Sequence, residues 1–262
     1  MRLCWIHPTT RSPQLEALWF KLEAVVSPIL GAGTAIEHRF LARSTNYTRS
    51  LYAEHLNSVH MMEAAIAAQD EGFDGVYFGC WNDPLWETRE ILDIPAGSVG
   101  EQSMLASLSI GKRFAVVTVS EKTVSAIEND LWAYGLAARA ITRPVRSVYP
   151  ESDGKLLRQS IDDPYNGFIP RFEEAAMGCI RDGAEVILVG CAYYGPLLRA
   201  AGYTTVTDTG VPVLDSTSIS LKYLEAMTDI SLKMGVVKST RQLFKAPPKP
   251  IIAAARQSLN LI

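Results

Sequence analysis

The 262-residue sequence has no long apolar stretch and only 4 cysteines and 4 histidines. No window approaches the roughly 18 apolar residues of a membrane-spanning helix, and the apolar run at the start is too short for a secretory signal. So few cysteines in a chain of this length do not form a disulfide framework, and we expect reduced thiols. These absences argue against secreted, fibrous, membrane and disulfide-stapled classes and predict a cytoplasmic protein.

No excess of positive charge is present either. Lys and Arg total 25 against 28 Asp and Glu, for a formal net charge of −3. A chain without a basic field is not expected to bind nucleic acid. Its 48% hydrophobic and 20% charged residues are typical of an ordinary globular protein.

Several cofactor and catalytic motifs are also missing. The histidines show no metal-ligand spacing with cysteines or carboxylates, so we predict no metal site. No Walker loop and no Gly-x-Ser-x-Gly elbow occurs. The segment Gly31–Ile36 begins like a dinucleotide fingerprint but lacks the third glycine and precedes a predicted strand. We therefore expect no cofactor.

The chain contains an internal repeat at an offset of 111 residues. Residues 71–80 align with residues 182–191, and both read acidic residue, glycine, apolar residue, acidic residue, β-prone run and Gly-Cys. The other matches are Glu63 with Glu174, residues 2–7 with residues 113–118, and, at an offset of 117, Ile94-Pro95 with Val211-Pro212. Matches in one order indicate a duplicated unit.

Each copy reads as alternating strands and helices. The apolar runs Ala115–Val119 and Val186–Val189 are typical of parallel strands buried on both faces. The amphipathic stretches Val59–Gln69 and Arg171–Ile180 are typical of the crossover helices that parallel strands require. We predict an α/β fold of two doubly wound lobes with parallel sheets, related by a pseudo-twofold axis, with the active site in the cleft between them.

The lobe boundary is expected near Gly111. The predicted division is lobe 1, residues 1–111 plus 218–262, and lobe 2, residues 112–217. Ser218–Lys233 reads as a long helix that crosses back to lobe 1. Lys245–Pro250 reads as a semi-rigid linker before a short amphipathic tail, residues 251–262.

Cys80 and Cys191 stand where chemistry is expected. Each directly follows a predicted buried strand, at the edge of a parallel sheet where ligands bind. A helix start is predicted after each, and free helical N–H groups stabilise a thiolate, so we expect lowered pKa values. Two thiols flanking one carbon can remove a proton from one face and return it to the other. Cys4 and Cys179, inside a strand and a helix, are expected to be buried without chemistry.

At these residues the sequence resembles the aspartate/glutamate/hydantoin racemase superfamily, and within it the hydantoin and allantoin racemases, over most of residues 1–230. The matching segments are Cys80-Trp81-Asn82-Asp83-Pro84, Val99-Gly100-Glu101 running into Met104–Phe114, Val116-Val117-Thr118, Asp182–Ala192 and Gly210–Asp215. The resemblance implies a cofactor-independent racemase with Cys80 and Cys191 as its two bases. It also implies that backbone amides after each cysteine, and Thr118, hold the substrate's polar groups.

The predicted substrate-binding residues are His7, Ser44, Asn46, Trp81, Asn82, Asp83, Thr118, Val119, Ala192 and Tyr193. His7 stands where the family usually has asparagine, and it would bind a substrate oxygen, assist proton transfer or serve as a structural histidine. Trp81, Tyr193 and Tyr194 stand at positions where smaller residues are commoner in the family. They predict a ring-bearing or larger substrate, an occluded pocket, or core packing.

We therefore predict a two-cysteine racemase or epimerase that acts by 1,1-proton transfer at an acidic carbon. Its substrate would be a small molecule, either a hydantoin- or allantoin-like cyclic ureide or a related amino-acid derivative. We also expect a homo-oligomer. The alternatives are a maleate-isomerase-like cis–trans isomerase or a decarboxylase on the same fold, and a non-catalytic ligand-binding protein.

Overall fold

A computed structural model describes residues 1–81 and 83–261, which form two four-stranded parallel sheets. The first sheet contains β1 (Arg2–Ile6), β2 (Ala35–Arg39), β3 (Gly75–Phe78) and β4 (Ala96–Ser98), in the order β2-β1-β3-β4. The second contains β5 (Phe114–Thr118), β6 (Ala140–Ser147), β7 (Val186–Gly190) and β8 (Val213–Leu214), in the order β6-β5-β7-β8. The predicted α/β fold with two parallel-sheet lobes is confirmed.

Helices connect the strands of both sheets and follow the last strand. They are α1 (Glu16–Val26), α2 (Leu51–Asp70), α3 (Leu85–Ile91), α4 (Val99–Ser107), α5 (Glu121–Ala133), α6 (Gly154–Asp162), α7 (Ile169–Arg181), α8 (Tyr194–Ala200), α9 (Ser216–Met234) and α10 (Lys249–Ser258). Within the described ranges, no helix is both long enough and apolar enough to span a membrane.

Local capping explains where the structure differs from the predicted helix bounds. α2 starts eight residues before the prediction, because the Ser50 hydroxyl accepts a hydrogen bond from the Ala53 N–H. α9 starts at Ser216, because the Asp215 carboxylate accepts from the Ser218 N–H. α10 already starts at Lys249, because a proline is compatible with the first turn of a helix. The predicted linker is correspondingly shorter.

The two sheets repeat the same strand register. Leu3 pairs with Gly75 across β1 and β3, and Phe114 pairs with Val186 across β5 and β7, so both partners are shifted by the offset of 111. At the outer edge, Val76 pairs with Ala96 and Ile187 with Val213, where the offset has become 117. The sequence repeat is therefore also a repeat of backbone pairing.

The sheets fall on either side of residue 111, and we propose the same boundary for the lobes. α9 follows the last strand of lobe 2 but packs against β3, β4 and α4 of lobe 1. The Tyr77 hydroxyl, on β3, lies 2.6 Å from the Ser220 hydroxyl of α9 and donates to the Thr217 carbonyl. This helix links the two halves of the chain.

A glycine lies at the carboxyl end of β3 and of β7, directly after β3 as Gly79 and as the last residue of β7, Gly190, and each is beside a bulky neighbour. A Cβ atom at Gly79 would lie 1.9 Å from Trp5 Nε1 on β1, and one at Gly190 would lie 2.8 Å from the Thr118 Cβ on β5. Such distances are sterically excluded, so only glycine allows these strands to end so close to their neighbours. The next residue in each case is a cysteine.

We expect Gly79→Ala to lower the free energy of unfolding by about 1–3 kcal/mol or more, because the added methyl group overlaps the buried Trp5 indole. Urea unfolding measures this change. Gly100→Ala is the matched control, since its Cβ would meet its nearest neighbours at 3.5 Å. Equal stability of the Gly79 variant and wild type would show that the indole has room to move.

Candidate active site

One cavity of about 560 Å³ receives both repeat cysteines. Cys80 reaches it from the end of β3 in lobe 1, and Cys191 reaches it from the end of β7 in lobe 2. Cys80 and Cys191 are half-buried as residues, whereas Cys4 and Cys179 are buried in the core. Burial raises the pKa of Cys4 to about 12 and that of Cys179 to about 11, so these two thiols stay protonated near neutrality.

The cavity wall combines residues from both lobes. Of the predicted binding residues, it includes Asn46, Trp81, Val119, Ala192 and Tyr193. It also includes Trp19, Ala126, Ile127, Leu157 and Tyr194, and the polar or charged Arg11, Arg49, Glu54, Thr123, Ser152 and Asp153. The two thiols thus face a space with an extensive apolar wall and a few charged groups. Asn82 lies outside the described residues.

Cys191 lies three residues before the first residue of α8, Tyr194. The N–H groups of Tyr193 and Tyr194 hydrogen-bond to the thiol and lower its pKa, and the Arg49 guanidinium acts in the same direction. Burial raises the pKa more strongly than these groups lower it, so the pKa lies above its ordinary value.

Cys80 has more acidic surroundings. Burial raises its pKa well above the ordinary value, and negative charge on Asp83, Glu54 or Cys191 raises it further. The Trp81 backbone N–H opposes these effects but is outweighed. The two thiols thus occupy equivalent positions in the fold and different electrostatic environments.

The expected lowering of both thiol pKa values is therefore wrong. The predicted helical N–H donors are present at Cys191, but withdrawal of both sulfurs from water outweighs them. Desolvation depends on every element packed around the cavity, whereas the prediction considered only the strand and the following helix.

Four predicted binding residues lie behind the cavity lining. His7 is fully buried, stacked 4.5 Å from the Phe40 ring, with its Nε2 3.0 Å from Nδ1 of His38. Burial and His38 lower the pKa of His7 well below its ordinary value, so its imidazole is neutral. Among the three alternatives for His7, these surroundings match the structural histidine.

Thr118, Ser44 and Asp83 are also set back from the cavity. Thr118 donates a 2.9 Å hydrogen bond to the Gly190 carbonyl, beside Cys191. The Ser44 hydroxyl accepts from the Thr10 N–H and donates to the Asn46 carboxamide, so it supports a residue that does line the cavity. Asp83 follows Cys80 in the same loop, with both carboxyl oxygens buried.

The chain is similar to known racemases. The Asp/Glu/hydantoin racemase family matches residues 18–224. The chain belongs to this family. A hydantoin racemase from Pseudomonas sp. (strain NS671) is 28% identical over 215 residues, which cover 80% of this chain and 79% of that protein.

Solved structures support the fold assignment. An allantoin racemase from Klebsiella pneumoniae has a TM-score of 0.75 at 21% identity and covers 95% of this chain and 94% of its own. An allantoin racemase from Pseudomonas fluorescens has a TM-score of 0.74 at 22% identity, with 95% and 98% covered. Together with the family match, these likenesses identify the chain as a racemase-type isomerase that acts on a small molecule.

Two residues of the cavity wall in this racemase, Arg49 and Glu54, were not predicted from the sequence. Arg49 precedes α2 in lobe 1, and its guanidinium donates to the Ser152 carbonyl in lobe 2. The Ser152 hydroxyl lies 2.7 Å from the Tyr194 hydroxyl, so this contact connects to the first turn of α8. Neither residue belongs to the repeat or to a family motif in the sequence. Their only signal was proximity in sequence to the loop of Ser44 and Asn46.

A buried acidic group extends behind Cys80. Asp130, on α5, has a pKa raised to about 7, because it is mostly buried and repelled by Glu54. Charge on Asp130 in turn raises the pKa of Asp83, which is already raised well above its ordinary value by burial. Because these carboxyl groups are buried and repel one another when ionised, they favour shared protons over full ionisation.

We expect Asp130→Asn to change the pH dependence of stability. The folded protein holds a proton on Asp130 up to about pH 7, whereas the unfolded chain releases it near pH 3.8, so wild-type stability falls across this interval. The variant lacks this loss, and its free energy of unfolding should exceed the wild-type value at pH 8 by on the order of 4 kcal/mol. Near pH 4 the two should converge.

Urea unfolding at pH 4, 6 and 8 makes this comparison. Glu128→Gln removes a carboxylate from the same helix and controls for the loss of one charge. A constant difference between Asp130→Asn and wild type at all three pH values would contradict the assigned titration.

Proposed function

We propose that this protein is a cofactor-independent racemase of a cyclic ureide, hydantoin- or allantoin-like, that moves a proton between the two faces of one carbon with Cys80 and Cys191. The observation that carries the proposal is that two cysteines from equivalent positions of the repeat line one cavity. Relatives named hydantoin racemase and allantoin racemase support the substrate class.

The proposed reaction needs one thiolate and one thiol at the same pH. The thiolate removes the proton from the ring carbon beside a carbonyl, and the negative charge spreads onto the carbonyl oxygen as an enolate. The opposite thiol then gives a proton to the other face of that carbon, so that the configuration of the carbon is inverted and the enzyme differs from its starting state only in which sulfur holds the proton. A ureide ring makes this feasible, because adjacent carbonyls stabilise the carbanion.

The cavity provides groups suited to this substrate. Val119 and Ala192 line it, and we propose that their backbone holds the polar edge of the ring together with the amides that follow Cys80. Trp81 and Tyr193 form part of the apolar wall and would pack against the ring. Because burial raises the pKa of Tyr193 well above its ordinary value, its phenol stays protonated as a donor. We place the enzyme in the reducing cytoplasm, since both thiols must remain reduced.

The test follows the α-proton of an enantiopure 5-substituted hydantoin and of enantiopure allantoin in D2O, with NMR and optical rotation recorded against an enzyme-free blank. Racemisation predicts deuterium incorporation together with loss of rotation. A decarboxylase would instead release carbon dioxide, a cis–trans isomerase would act on maleate but on neither ureide, and a binding protein would change none of these signals.

Cys80→Ser and Cys191→Ser should each lower the racemisation rate by at least about 100-fold, because each removes one of two acid–base groups. Residual exchange of one enantiomer is expected from the surviving thiol. Cys179→Ala is the control, since this thiol lies buried away from the cavity and should leave the rate unchanged in folded protein. Full racemase activity in both serine variants would exclude the two-base role.

We also propose a homo-oligomer. The C-terminal segment exposes large apolar side chains: Val236, Val237, Leu243, Ile251 and Leu259. Light scattering coupled to size-exclusion chromatography should give a mass that is a multiple of 28.8 kDa, and the double change Ile251→Lys with Leu259→Lys should reduce it. A monomeric wild-type mass would contradict this proposal.

A further inference from the structure

The loop that precedes α2 contributes two polar residues, Asn46 and Arg49, to the cavity wall that also holds Cys80 and Cys191. The proposed proton transfer uses the two sulfurs and backbone amides and leaves both of these side chains without a role. A cavity of about 560 Å³ accommodates a ligand larger than a five-membered ring. The hydrogen-bond partners of Asn46 and Arg49 therefore indicate what the substrate carries besides its ring.

The Arg49 guanidinium is anchored at one nitrogen and has further donors. One Nη donates to the Ser152 carbonyl of lobe 2, and the Ser152 hydroxyl lies 2.7 Å from that of Tyr194. All three residues line the cavity. A guanidinium has five N–H donors and no acceptor. Among the described residues, no carboxylate forms an ion pair with Arg49, so this half-buried cation lacks a counter-charge in the protein.

The Asn46 carboxamide has a fixed orientation. Its Oδ1 accepts from the Ser44 hydroxyl at 2.7 Å, from the Thr10 hydroxyl at 2.8 Å and from the Thr10 N–H at 3.3 Å. A backbone N–H can only donate, so the amide atom at this position is the oxygen and the other is the NH2 group. In the described part of the chain, that NH2 group has no acceptor. Asn46 thus adds two unused donors to the loop.

The other charged residues of the wall do not neutralise Arg49. Arg11 forms an ion pair with Glu16. The Asp153 carboxylate accepts a backbone N–H at 2.7 Å and caps α6. Glu54 lies in the first turn of α2, and within the described ranges no ion pair joins it to Arg49. The loop therefore offers hydrogen-bond donors and one positive charge, which is the chemistry that binds a carboxylate.

We propose that Asn46 and Arg49 bind a carboxylate on the substituent of the racemised carbon, so that the preferred substrate is a cyclic ureide with an acidic side chain. The planar guanidinium matches the two oxygens of a carboxylate, and the amide NH2 adds a further donor. Such a substituent supplies the counter-charge that the wall lacks, whereas an apolar substituent leaves the guanidinium unpaired. This inference names the substrate class of the proposed function and rests on it for its catalytic meaning.

The test compares two ligands of the same shape, hydantoin-5-acetate and its uncharged amide, hydantoin-5-acetamide. Calorimetric titration of the wild-type protein with the racemic compounds measures binding independently of turnover. We expect the carboxylate to bind at least about tenfold more tightly, because charge-assisted hydrogen bonds are stronger than neutral ones. Optical rotation of the pure enantiomers should show the same preference in kcat/KM. Allantoin and 5-benzylhydantoin serve as the ureido and apolar comparisons.

Three variants test the two residues. Arg49→Met should weaken binding of the carboxylate by about ten- to a hundredfold and that of the amide much less, whereas Arg49→Lys should retain part of the preference because the charge remains. Asn46→Asp keeps an oxygen for Thr10 and Ser44 but replaces the NH2 donors with an anionic oxygen, so it should abolish the preference. Arg43→Met is the matched control, since it removes an exposed cation of the same loop that does not line the cavity.

Equal or tighter binding of the amide to the wild-type protein would overturn the inference, as would a carboxylate preference that survives both Arg49→Met and Asn46→Asp. Arg49→Met also removes a contact between the lobes, so its melting temperature is measured in parallel, and Asn46→Asp decides the matter if that variant does not fold. Racemisation of neutral hydantoins without a carboxylate preference would refute the subsite and leave the proposed function intact. Tight binding of the carboxylate without racemisation of any ureide would do the reverse.

Discussion

The close contact between a glycine and the neighbouring central strand is the constraint on which this site depends. At Gly79 the neighbour is the Trp5 indole, and at Gly190 it is Thr118. In both lobes the chain can therefore leave the sheet directly at its carboxyl edge, and the next side chain, a cysteine, enters the shared cavity. A side chain at either glycine would push the strand end away from its neighbour and shift the thiol with it.

The two cysteines have equivalent backbone positions but different electrostatic environments. The register of β1 with β3 is repeated by β5 with β7, so the fold presents Cys80 and Cys191 symmetrically. Their surroundings break this symmetry, since acidic groups raise the pKa of one thiol while N–H donors and a guanidinium act to lower that of the other. The repeated backbone thus sets the positions of the two cysteines, whereas charged residues outside the repeat set their electrostatic environments.

Contacts between residues of the two lobes could not be predicted from the sequence. Arg49 contacts Ser152, about a hundred positions later in the chain, and no pattern in the sequence pairs them. Asp130 belongs to α5 of lobe 2, yet its charge acts on the Asp83 carboxyl of lobe 1. Similarly, His7 occupied the position expected for a binding residue, but aromatic neighbours from other elements surround and bury it.

The amino-acid sequence by itself determined the repeat, the parallel strands and the position of each cysteine after a strand, because these follow from local periodicity and from spacing along the chain. It also carried the family resemblance. Only the tertiary structure decided the pKa direction of each thiol, which residues line the cavity and which charges face Cys80 or Cys191. Desolvation and Coulomb interactions sum over all neighbours in space, and most of those neighbours are distant in sequence.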